Sequence, residues 1–196
     1  MNIRPVTLTG KRIRLEPLSL DHLDSLAAVG LDPELWRWTV SQVRSPDDMR
    51  DYIELALRQQ TEGSALPFAT IEQSSGRAAG STRYMNIDRP NRHVEIGSTW
   101  VARNRQRTPV NTEAKYLMLK HAFEDLDCIR VELKTDSLNE QSRAAIMRIG
   151  AKEEGIFRNH MICWGGRIRH SAWYSIIDSE WPEVKARLEE KLGSEL

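Results

Sequence analysis

Glu95 to Phe123, EIGSTWVARNRQRTPVNTEAKYLMLKHAF, constrains the chain more than any other stretch. It reads as a strand, then a short basic loop, then an amphipathic helix. Leu119, Ala122, Phe123 and Leu126 stand at i, i+3, i+4 and i+7, a helical stripe. Thr112 and Glu113 are expected to open that helix, where an acidic first turn suits the positive end of the dipole. The loop between, Arg103 to Asn111, carries three arginines. A strand feeding such a loop into a helix N-terminus can bind phosphate, because unpaired N–H groups and the dipole both favour an anion there. The same arginines also suit a plain solvated connection.

The remaining chain supplies the elements around this unit. Lys11 to Glu16 alternates Ile13 and Leu15 with Arg12 and Arg14, a half-buried strand that Pro17 ends. Ser19 is expected to cap a helix bearing Leu20, Leu23, Leu26 and Ala27. Leu35-Trp36-Arg37-Trp38 is a compact aromatic element suited to core or lid packing, or to a substrate mouth. Ser45-Pro46-Asp47-Asp48 starts a second helix, expected to stop near Gly63. Pro67–Gln73, Ala78–Ile87 and His93–Val101 read as an antiparallel meander, with Gly80 marking a weak or closely approached spot. Ile129–Thr135 alternates as another strand. Ser137 with Glu140 fits a capping box, and Asn139 offers a rival cap, for a helix through Ile149. Glu154–Trp164 and Arg167–Ile177 read as a hairpin around Gly165-Gly166, and Trp181, Val184, Leu188 and Leu192 lie on a last helix. An α/β (α+β) chain follows: a mixed sheet of about seven strands with helices on both faces, in one domain spanning residues 1–196.

Lys plus Arg equals Asp plus Glu, 28 of each. That balance argues against a general nucleic-acid or membrane-surface binder. The two cysteines, Cys128 and Cys163, have no metal-ligand spacing, so no metal is expected and a reduced cytoplasmic setting fits. No apolar stretch is long enough to span a bilayer.

Order and residues together resemble the GNAT N-acetyltransferase superfamily, in the branch of the ribosomal-protein N-terminal acetyltransferases RimJ and RimL. The resemblance runs from about Leu8 to Leu192. It is carried by Thr9-Gly10-Lys11-Arg12-Ile13-Arg14-Leu15, Glu95-Ile96-Gly97, Thr112-Glu113-Ala114, Asn139-Glu140-Gln141-Ser142, Ile149-Gly150-Ala151 and Glu154-Gly155-Ile156-Phe157-Arg158. It implies a GNAT-like domain with a splayed strand pair, acetyl-CoA as donor and a primary amine as acceptor, either a peptide N-terminus or a small molecule. A homodimer is compatible with it. The pantetheine arm would pair like an extra strand with Trp100, Val101 and Ala102. The pyrophosphate would sit at Gln106, Arg107, Thr108, Val110, Asn111 and Thr112. Where the family loop reads Gln/Arg-x-x-Gly-x-Gly/Ala, this chain keeps Gln106 but has Pro109 and Asn111. It resembles in this a subfamily with Pro-x-Asn followed by Glu-Ala-Lys. Proline gives no N–H, whereas asparagine tolerates the left-handed region and donates through its side chain.

Acetyl transfer needs a neutral amine, a stabilised oxyanion and a proton for the departing thiolate. Glu95 is the expected base, direct or through water; its alternative is an outward carboxylate paired with Arg83 or Arg92. His93 lies two residues away on the same face and is a second candidate. Ser142 matches the serine placed near the thioester sulfur in the RimL-like branch, and Asn139 matches the cofactor-contacting asparagine. Arg103, Arg105 and Arg107 are candidates for the ribose 3′-phosphate. Two rivals stand beside this reading: a non-catalytic acyl-CoA-binding protein of the same fold, and an RNA-binding module on the arginine cluster, which neutral charge and the lack of interleaved aromatics disfavour.

Overall fold

Alternation builds the strands. In Ile13–Pro17, Ile13 and Leu15 are fully buried and Arg14 is not; in Arg130–Asp136, Val131 and Leu133 are buried between half-exposed charged residues. The computed structural model describes residues 1–194; Glu195 and Leu196, the end of the expected 1–196 span, lie outside the described residues. In chain order the strands are β1 (Leu8–Thr9), β2 (Ile13–Pro17), β3 (Leu66–Glu72), β4 (Ala78–Asp88), β5 (His93–Val101), β6 (Arg130–Asp136), β7 (Lys152–Ile162) and β8 (Ile168–Ile177). The helices are α1 (Leu23–Gly30), α2 (Pro46–Thr61), α3 (Pro109–Lys120), α4 (Glu140–Arg148) and α5 (Trp181–Ser194).

One mixed sheet runs β1-β2-β3-β4-β5-β6-β8-β7. Eight strands stand where about seven are expected. The extra one, β1, pairs only Leu8 with Leu15 and Thr9 with Arg14, too short to show an alternation. Every pairing is antiparallel except β5 with β6, and a parallel pair needs a crossover, which α3 supplies. On one face Val110, Leu117 and Met118 of α3, Ile146 of α4 and Val184 and Leu188 of α5 pack against Ile13, Leu133 and Ile176. On the other, α1 and α2 cover Ala69, Ile71 and Trp100, with Trp36 among them.

Two helix starts differ from expectation, and at a third the structure selects one of the two expected caps. Leu20–His22 forms a 3₁₀ turn, so α1 begins only at Leu23. Asn139 caps α4, its Oδ1 accepting from the Ser142 N–H at 3.1 Å, and the Ser137–Glu140 box does not form. α3 begins at Pro109 rather than at Thr112-Glu113. Thr108 is its cap, with Oγ1 accepting from the Val110 N–H at 3.4 Å, and proline suits the first helical position because its missing N–H would go unused there. Glu113 therefore does not serve the dipole. It is buried, and its carboxylate accepts the N–H groups of Lys11 at 2.7 Å, Arg12 at 3.0 Å and Ile13 at 3.0 Å, tying α3 to the start of β2. The apolar stripe holds: Leu119, Ala122 and Leu126 are buried and Phe123 stacks on Trp181, although His121–Asp125 widens into a π-helical turn.

Candidate active site

β5 and β6 pair only from His93–Arg130 to Glu95–Glu132, and beyond that they part. The cause lies in β5. Ser98 has φ 46°, and the β4–β5 register shifts between Ser81 and Arg83, as a bulge requires. Tyr52 of α2 fixes this bend by donating from Oη to the Ser98 carbonyl at 3.2 Å. Gly80 of β4 follows it at φ +155°, where a Cβ would stand 2.1 Å from the Trp100 carbonyl oxygen, so only glycine fits.

A cavity of about 810 Å³ occupies the opening. Its wall includes Gln106, Arg107, Thr108 and Asn111 around the start of α3, Asn139, which caps α4, and Ser142 and Ile146 of α4. Trp36, Trp38, Glu95, Met161 and Arg169 line it as well. Of the residues expected from sequence, Glu95, Trp100, Val101, Gln106, Arg107, Thr108, Asn111, Asn139 and Ser142 line this one space. Ala102, Val110 and Thr112 do not. The Ala102 N–H is committed to the Ala79 carbonyl at 2.8 Å, the Val110 N–H faces Thr108, and Thr112 is buried. The Val101 carbonyl also has a partner, Gln106 Nε2 at 3.2 Å.

Glu95 is 1 % exposed. It pairs with neither Arg83, which donates to Gln59, nor Arg92, which pairs with Asp127. Its Oε2 accepts from Lys134 Nζ of β6 at 2.7 Å and from Asn86 Nδ2 at 2.7 Å. Its Oε1 turns toward Gly97, where a Cβ would come within 2.8 Å of it, so the missing side chain there makes room for the carboxylate. Lys134 in turn lies 4.8 Å from the Trp173 ring centroid. His93 pairs with Asp88 at 3.3 Å and does not reach the cavity wall. Trp36 is core: its Nε1 donates to the Gly30 carbonyl at 2.7 Å, and its ring meets Tyr52 edge-on. Trp38, half-buried on the cavity wall, has the Arg37 and Arg167 guanidinium groups over its ring.

The three loop arginines separate. Arg103 pairs with Asp32 and Arg105 with Glu72, which leaves Arg107 as the one without a carboxylate among the described residues. Arg107 also holds φ 60°, a costly backbone for a side-chain-bearing residue. The Ser142 hydroxyl, half-buried on the wall, has no hydrogen-bond partner among the described residues.

Sequence reasoning passed over Lys134, Asn86 and Lys115. Lys115 had a readable signal: it stands four residues after Asn111 and four before Leu119, a charge placed on the buried face of α3.

Comparison with known proteins agrees with this layout. The model of the acetyltransferase (GNAT) domain matches residues 12–152. The uncharacterized N-acetyltransferase p20 of Bacillus licheniformis is 24% identical over 176 residues, covering 89% of this chain and 98% of that protein. A crystal structure of a GCN5-related N-acetyltransferase from Brucella melitensis superposes with TM-score 0.89 at 33% identity, covering 96% of this chain and 86% of that one. Mycobacterium smegmatis RimJ, solved in complex with CoA-disulfide, shares the fold with TM-score 0.82 at 21% identity, each chain covered to 95%. By its matched domain and by the parted strands that frame its cavity, the chain belongs to the GNAT acetyltransferase family.

Proposed function

We propose that the protein transfers an acetyl group from acetyl-CoA to a primary amine by direct attack within a ternary complex. The observation that carries this is the single cavity between β5 and β6. Its wall includes both an anion-favouring helix start and a buried carboxylate. RimJ, of the same fold, was solved with CoA-disulfide, which supports a CoA ester as donor here.

The residues divide the work. The N-terminus of α3 with Arg107 holds the diphosphate. Pro109 suits the first helical position but gives the anion no N–H there, so more of the diphosphate's charge falls to Arg107 and the helix dipole. The acceptor enters past Trp38, and Glu95 takes its ammonium proton, directly or through water. The amine nitrogen then bonds the thioester carbonyl carbon and the C–S bond breaks; the Ser142 hydroxyl donates a proton to the leaving sulfur and regains one from the nitrogen, which leaves a neutral amide and a thiol. Peptide N-termini and small amines both suit a mouth of this kind.

The test is calorimetry followed by turnover. Acetyl-CoA should bind one site per chain and be displaced by free CoA, and thiol release should then depend on added amine across a panel of peptides and small amines. Binding without thiol release from any amine would favour the non-catalytic acyl-CoA-binding reading. No binding at millimolar ligand would end both.

A further inference from the structure

Lys115 is a buried cation without an anion. It is 5 % exposed, on the α3 face that lines the cavity. Its Nζ donates to Thr99 Oγ1 of β5 at 2.6 Å and to Thr82 Oγ1 of β4 at 3.3 Å, and those two hydroxyls lie 2.8 Å apart. An ammonium has three N–H groups. The third has no partner among the described residues. One turn earlier, the Asn111 Oδ1 is also buried and unpartnered.

No neighbouring element supplies the missing charge. Among the described residues the Lys115 ammonium meets only Thr82 of β4 and Thr99 of β5, and Asn111 lies one turn earlier on α3. Of the carboxylates on the cavity wall, Glu95 is held by Lys134, Asp32 by Arg103 and Glu34 by Arg37. Arg107, Arg148 of α4 and Arg169 of β8 add only positive charge. Desolvation is accordingly the cause that pulls the Lys115 pKa down, to about 7.

We propose that Lys115 is a donor-binding residue whose missing partner is an oxygen of acetyl-CoA, where the diphosphate and its pantetheine arm pass the first turn of α3. The inference rests on the donor assigned under the proposed function. Cβ atoms of a helix tilt toward its N-terminus, so the Lys115 stem runs back over the turn that carries Asn111 and toward the anion-favouring end. A buried charge held without a partner is costly, and an incoming anion removes that cost.

The consequence is a coupled proton. Bound donor raises the Lys115 pKa above its free value of about 7. Below that value the ammonium is charged in both states and affinity is greatest. Above it, binding must take up a proton, so affinity falls by up to about tenfold per pH unit until the bound pKa is passed.

The experiment is calorimetry with acetyl-CoA, whose thiol is blocked, between about pH 7 and about pH 9, in buffers of different ionisation enthalpy. The parent should bind with proton uptake and weaken as pH rises. Lys115→Met should bind more weakly at the lower pH, without that proton uptake and with a flat pH profile. It should also fold, because Thr82 and Thr99 already hydrogen bond each other. Lys115→Arg, charged throughout, should lose the pH dependence as well. A methionine variant with the parent's affinity and profile, or with weaker binding and an unchanged profile, would overturn the role of Lys115 and leave the donor assignment standing. A parent that does not bind acetyl-CoA would overturn the donor assignment itself, and this inference with it.

Discussion

Glu95 and Arg107 each carry a local cost at the cavity wall. Glu95 is removed from water and needs Lys134, Asn86 and the space at Gly97 to stay there. If it accepts the acceptor's proton, Glu95→Gln should lower turnover by about 10²–10⁴-fold at neutral pH, with acetyl-CoA affinity nearly unchanged. The loss should shrink as pH rises and free amine becomes abundant. An equal loss at every pH would instead make Glu95 a positioning residue. Arg107 holds a left-handed backbone that costs on the order of 1–3 kcal/mol for a residue with a side chain. Arg107→Gly should therefore raise the melting temperature while weakening acetyl-CoA in a salt-dependent way. Unchanged affinity would mean the guanidinium meets only solvent.

Among the elements, α3 joins the site to the rest of the fold. Its first turn faces the cavity, and Glu113, from the next positions along, faces away to receive three backbone N–H groups before and within β2. Bonds to a charged acceptor contribute about 1.5–3 kcal/mol each at most, and a glutamine keeps only part of that acceptance. Glu113→Gln should thus lower stability by a few kcal/mol, on the order of one such bond or more, read by denaturant melts with acetyl-CoA absent. A change within error would show that the turn holds itself. This element also marks the limit of the sequence reading. Strand, loop and helix were legible from periodicity, and so was the meeting of Gln106, Asn111, Asn139 and Ser142, through family resemblance. The start of α3 was not, because Thr112-Glu113 imitates a cap while Thr108-Pro109 is one. Nor was the partner of Glu95. Lys134 lies on a strand 39 residues away, and only the parallel register of β5 on β6 brings the two together.

At the scale of the whole molecule, the chain order hides two facts that pairing alone reveals: β8 lies between β6 and β7, and β1 adds an eighth strand. The last helix, α5, closes the helical layer behind the site, and one carboxylate gathers several of the contacts at its start. Glu124, just past α3, accepts from Lys120 Nζ at 2.8 Å, Lys185 Nζ at 2.8 Å and Trp181 Nε1 at 3.0 Å. The hydrogen bonds from Lys120, Lys185 and Trp181 hold its pKa down to about 2 from an ordinary 4.5, against a smaller opposing push from burial. A carboxyl with a lowered folded pKa contributes stability that is fully present above its unfolded value and lost as pH falls through the folded one. The window here therefore runs from about 4.5 down to about 2. Glu124 is partly open to solvent, so screening reduces each pair to about 0.2–1 kcal/mol. Glu124→Gln should accordingly be less stable than the parent by about 1 kcal/mol near neutral pH, measured by denaturant unfolding. That gap should close as pH falls toward about 2, since the parent's carboxylate is then protonated as well. A gap that stays constant down to that pH would mean that packing of Trp181 against Phe123, rather than the charge on Glu124, fastens α5 to the sheet.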